Sequence, residues 1–186
     1  MAIFDHDVWA ARAWDRHNKT IQAGGDAEKS SAKWAEEVKA IGALRVVVDW
    51  CAARSLIVTF SKRSGAIFFP SSKEIKISGR ASPIRQLHCI LHECGHCLIG
   101  DKDKTERFGM GYGNEDKHAK KTMHHRVDIL EEEFEAWHRG WKLAKRLKVL
   151  DASDKASYDK TRVSMLMTYV KWATRDPEYK TDLGED

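Results

Sequence analysis

A chain of 186 residues, 42% hydrophobic and 32% charged, can bury one well-formed core and has little left for a second module. Its net charge of +4 is modest and its Lys and Arg are interleaved with acids, so nucleic acid is not indicated as a partner. No run approaches the roughly twenty apolar residues of a membrane span, and Met1-Ala2-Ile3-Phe4-Asp5-His6-Asp7 lacks the basic start and apolar core of a signal peptide, so a cytoplasmic protein without a membrane partner is expected.

Between Asp7 and Gln22, Val8, Trp9, Ala13 and Ile21 fall among charges, which predicts a short amphipathic helix ending at the Ala23-Gly24-Gly25-Asp26 turn. Ser30 or Ser31 can cap a second helix, in which Trp34, Val38, Ile41, Leu44, Val47, Val48 and Cys51 keep helical spacing. Gly42 is a candidate break there, and the β-branched run from Arg45 to Val48 leaves a strand as the alternative. Together these give N-terminal helices over about 7–53.

From about 55 to 78 the period changes to short β-rich runs, Leu56–Phe60, Ala66–Phe69 and Glu74–Ser78, separated by turn residues. They read as a three-stranded antiparallel meander, with the alternating run Glu74–Ser78 close to an edge that could pair with an extended substrate. A motif helix follows over about 83–99, then a polar loop from Gly100 to about Met123. A helix over about 126–150 and a last helix over about 156–174 complete a single domain, and the acidic end Asp182 to Asp186 is expected to fray.

The motif helix carries His92-Glu93-Cys94-Gly95-His96. Residues four apart lie one turn above each other, so both imidazoles can face one metal ion, while Glu93 stands beside it, free to take a proton from a bound water. Ile84, Leu87, Cys89, Ile90, Leu91, Cys97, Leu98 and Ile99 make this helix apolar on much of its circumference, hence buried. Two imidazoles and a carboxylate there need a metal or hydrogen-bond partners. Cys94-x-x-Cys97 also has ligand spacing, but with only Cys51 and Cys89 besides, no second pair completes a site, and buried free thiols are expected.

A catalytic zinc takes three protein ligands and leaves one position open. The pattern with a third His six residues on fails, because the chain has Ile99 and Lys102 where Gly and His are required. The later helix offers Glu131, Glu132, Glu133 and Glu135. Glu131, Glu132 and Glu135 fall on polar faces. Glu133 has Ile129, Leu130, Ala136 and Trp137 as its neighbours three and four away, and Gly140 seven away on the same side, which places it on the apolar face. The small residues Ala136, Gly140 and Ala144 would let this helix approach the motif helix closely. Glu133 is therefore the candidate third ligand, with Glu132 next and the loop residues His118, His124 and His125 after it.

His92-Glu93-x-x-His96 followed by Glu133-Phe134-Glu135-Ala136 resembles the gluzincin metallopeptidases. The run from Glu74–Ser78 through Pro83 to His96 is similar to the ImmA/IrrE-type branch and to small bacterial or phage proteins of that kind, with Trp137 where that branch usually has Asn or Asp. Over about residues 55 to 150, the resemblance implies a helix-rich α+β minimal gluzincin core and limited proteolysis of a specific protein substrate. The expected function is a zinc peptidase with one Zn2+ on His92, His96 and Glu133 and with Glu93 as general base. Tyr112, His124 and His125 are candidate oxyanion donors, and His88, one turn from His92, is expected in the core or behind the ligands. The rival reading is a zinc-stabilised protein-binding module, which would have no need of a base beside its metal.

Overall fold

The computed structural model describes residues 5–62, 65–116, 118 and 122–175; the acidic end and most of the Met1–Asp7 stretch lie outside them. Among the described residues, six helices and three strands follow in the order α1 (His6–Gln22), α2 (Ala27–Ala52), β1 (Ile57–Ser61), β2 (Ala66–Phe69), β3 (Glu74–Ser78), α3 (Pro83–Leu98), α4 (Asp101–Arg107), α5 (Met123–Arg146) and α6 (Lys155–Ala173). The chain is thus helix-rich α+β, and no helix among the described residues is long and apolar enough to cross a membrane.

Local chemistry sets the boundaries. Asp5 caps α1 by accepting from the N–H groups of Asp7 and Val8, and Asp26, rather than either serine, caps α2 through Lys29. Helix α2 runs through Gly42 and the Arg45–Val48 segment without a break. Leu44, Val47 and Cys51 lie fully inside the core there, so tertiary burial overrides the β preference of the valines. Ser82 caps α3 through the N–H of Arg85, and Pro83 follows in the first turn. The stretch read as a continuous loop after Gly100 contains the two-turn α4.

The sheet corrects the expected meander. Its order is β1-β3-β2, with β1 parallel and β2 antiparallel to β3. The strand expected near an edge is therefore the central one. Ile75 and Ile77 explain this, because both are essentially inaccessible and only a middle strand is covered on its flanks as well as on its inner face. The two edges are β1 and β2, on which Ile57 and Ile67 project to solvent.

Helices α3 and α5 share the largest contact between elements. Gly95 and Gly140 explain how closely they meet. A methyl group on Gly95 would overlap the carbonyl oxygen of Ala136, and one on Gly140 would come within 2.5 Å of the Leu91 carbonyl. Gly95→Ala should accordingly destabilise the fold by about 3 kcal/mol or more, since backbone on both sides must move. Gly42 lies mid-helix with nothing near its would-be methyl, so Gly42→Ala should stabilise by about 0.5–1 kcal/mol. Urea unfolding of the two variants checks this pair of opposite signs.

Candidate metal centre

The close approach of α3 and α5 places side chains from both at one point. His92 Nε2 and His96 Nε2 stand 3.2 Å apart. Glu133 Oε2 is 3.2 Å from His92 Nε2, and Glu133 Oε1 is 3.3 Å from His96 Nε2. All three residues are buried, and their ligand atoms lie within 4.8 Å of one another. A tetrahedral site with bonds near 2.05 Å has ligand-to-ligand edges of about 3.3 Å, so the spacing suits a small cation between them. Apart from its ion-pair distance to His92, Glu133 Oε2 makes no hydrogen bond of good geometry among the described residues, which leaves it open to an ion.

Charge points the same way. Glu93, Glu132 and Glu133 are each less than 5% exposed, and three carboxylates against two imidazoles make a buried site short of positive charge. Burial alone would lower the pKa of His96, but its hydrogen bonds to Glu132 and Glu133 carry it up to about 10. Burial pushes Glu133 up, yet His92 and His96 outweigh it and hold the carboxyl well below the usual range. A divalent ion would supply the charge that these protons otherwise provide. The residues present therefore fit a metal ion.

The two imidazoles are oriented by different means. His96 Nδ1 lies 3.3 Å from Glu132 Oε1, and because a carboxylate only accepts, the Nδ1–H donates and Nε2 is turned to the ligand cluster. Glu132, read from sequence as part of a solvated face, is 3% exposed. His92 Nδ1 has no hydrogen-bond partner among the described residues; its ring is instead stacked on the Trp137 indole, 4.4 Å between centroids at 22°. Glu132→Ala should weaken the binding of a divalent ion by roughly 10- to 100-fold while leaving the three candidate ligands in place, as measured by competition with a chromogenic chelator.

A cleft of about 650 Å³ opens over the cluster, lined on one side by Ala66, Ile67 and Phe68 of β2 and on the other by Tyr112 and Tyr169. Glu93 lines it too. Burial raises the pKa of the Glu93 carboxyl despite the pull of His92 and His96 and a hydrogen bond from the Phe68 backbone. The loop carrying Tyr112 is pinned to α5, because Met110 N–H donates to Asp128 Oδ2 at 2.9 Å and His125 Nδ1 bonds the Met110 carbonyl. The Tyr112 hydroxyl donates to Glu133 Oε1 at 2.7 Å. Tyr169 of α6, which the sequence reading did not single out, reaches both Tyr112 and Glu133. Burial and then the Glu133 charge push both phenols up, which keeps them neutral donors.

Other candidates fall elsewhere. His124 is exposed on the outer face of α5 and pairs with Asp128 at 3.4 Å, so it does not reach the cleft. His125 is committed to Met110, and His118 is exposed. Glu135 binds Arg139 at 2.7 Å. His88 is packed in the core, 2.9 Å from Thr161 Oγ1 and edge-on to Tyr158, with burial lowering its pKa to about 4. The four cysteines are free thiols, Cys97 alone being partly exposed. No family model, no curated protein and no solved structure matches the chain.

Proposed function

We propose that the protein is a zinc-dependent peptidase that hydrolyses a peptide bond in a protein substrate. The observation that carries this reading is the position of Glu93, whose carboxylate lines the cleft beside His92, His96 and Glu133 without belonging to the ligand cluster. A purely structural site has no use for a buried acid at its open side. His92, His96 and Glu133 would hold the ion. When bound, it supplies Lewis-acid polarisation of the scissile carbonyl and lowers the pKa of water.

The chain's own groups do the rest. Glu93 takes the proton of the attacking water and delivers it to the departing amine, a task suited to a carboxyl whose pKa burial has raised. Tyr112 and Tyr169 present neutral hydroxyls to the cleft, where they can donate to the oxyanion that develops on the carbonyl. The free side of β2 offers backbone N–H and C=O groups to an extended peptide, which would lie across the cleft as an added strand.

Protein purified without added metal should contain about one zinc per chain by elemental analysis. Incubation with a peptide library drawn from a whole proteome should yield new termini that vanish with a chelator and return with zinc. Absence of bound zinc with no uptake on titration, or a zinc-loaded protein that cuts nothing, would overturn the reading.

A further inference from the structure

A second cavity, of about 330 Å³, lies at the opposite end of α3, between α1, α2 and the turn from β3. Ser82, which caps α3, borders it, and ten residues of helix separate that cap from His92, a distance of about 15 Å. The two cavities differ in charge. The cleft over the ligand cluster has three carboxylates and one lysine in its lining; this groove has four cations, Arg12, Arg16, Lys33 and Arg80, and one carboxylate, Glu37.

That carboxylate is already used. Glu37 is 7% exposed and accepts from the Arg16 guanidinium at 2.6 Å, an ion pair that ties α1 to α2 and forms one wall. Arg12, Lys33 and Arg80 have no carboxylate partner among the described residues, and all three are exposed enough to meet a ligand. Three like charges lining one cavity with no acid of their own leave a positive field there that favours an anion. Guanidinium groups supply paired N–H donors in the geometry of a phosphate, and Lys33 adds a point charge. The volume is at the lower limit of small-molecule sites, which suits an anion of about mononucleotide size rather than a protein segment. Trp9 also lines the groove, tilted against Phe60 with 5.1 Å between ring centroids, and puts an aromatic surface beside the cations.

We propose that this groove is a binding site for a small phosphate-bearing anion, held by Arg12, Lys33 and Arg80 at the start of the helix that carries His92, Glu93 and His96. The phosphate could belong to a nucleotide or to inorganic polyphosphate. The site is independent of the peptidase reading, because none of its residues lines the cleft.

The test is calorimetric and NMR titration of the full-length, metal-loaded protein at low ionic strength, with ATP and with sodium tripolyphosphate as probes. Saturable binding that shifts the backbone signals of Gly79, Arg80 and Ala81, but not of Gly113 in the cleft, is the expected result, and it should weaken as salt is added. Arg12→Glu with Arg80→Glu should lower affinity by roughly tenfold or more. Both positions are on the surface, so the melting temperature and zinc content should hold, which separates a lost site from a lost fold. ATP binding tighter than tripolyphosphate and shifting the Trp9 indole would identify a nucleotide; equal affinities with Trp9 unmoved would identify phosphate alone. Failure of both probes to bind at millimolar concentration, or binding that the double variant leaves unchanged, would overturn the proposal. So would an oligonucleotide that binds more tightly than ATP and shifts residues well outside the groove, since the surface would then be part of an extended nucleic-acid track.

Discussion

Replacing Glu133 with Ala should lower zinc affinity by roughly a thousandfold or more, the largest effect expected of any single acid on α5. The loss is that of a ligand, and two features make it severe. The His92 and His96 nitrogens, 3.2 Å apart, would be left without their third donor, since the adjacent Glu132 is held by His96, and Tyr112 would lose its acceptor. Glu131→Ala and Glu135→Ala are the controls, the first exposed and the second engaged with Arg139 and, at 3.8 Å, Arg107. Both should bind zinc like the parent. If Glu132→Ala released the ion more completely than Glu133→Ala, the ligand assignment would have to move by one residue. Isothermal competition with a chelator of known affinity reads all four variants on one scale.

The convergence of His92, His96 and Glu133 was legible in the sequence because helical periodicity is a local property. The i, i+4 pair needs only α3, and the phase of Glu133 needs only α5 with its track of Ala136 and Gly140. What joins the two helices is also local in origin: small residues permit contact, and Gly95 meets Ala136 where larger side chains could not. Glu132 was misread because it lies one step round the helix, where the wheel shows a polar face; it is buried by the reach of His96, a fact of the partner helix. Tyr169 sits among Leu166, Val170 and Ala173 on the last helix, where nothing in its own segment marks it out. The available signal was a hydroxyl on an otherwise apolar face, since a buried phenol requires a partner. Strand order is non-local, and nothing in three short runs distinguishes a meander from β1 lying parallel beside β3. The basic groove was hidden for the same reason. Its cations come from α1, α2 and the turn after β3, and each is unremarkable in its own segment.

Glu93→Gln should abolish turnover by roughly a hundredfold or more while leaving zinc content and fold intact. Gln matches Glu in size, and its side-chain carbonyl can still accept the hydrogen bond that Phe68 gives the carboxylate. With no cation beside it, a carboxyl whose pKa is raised on folding costs stability above its unfolded value, where the folded state must hold a proton or carry a buried charge; an amide removes that cost. The melting temperature should therefore stay level or rise at neutral pH, the opposite of what loss of a structural group would do. Zinc should remain, because His92, His96 and Glu133 are untouched. Only the proton transfer is lost, since an amide cannot take a proton from water. The inert variant has a further use: it should retain a substrate that the parent cuts, so partners captured by it can be offered to the zinc-loaded parent and examined for cleavage. Two outcomes count against catalysis by Glu93. A variant that loses zinc or melts early would make the residue structural, and a parent that leaves every captured partner whole would favour a zinc-stabilised binding module, with the cleft and the β2 edge as its contact surface.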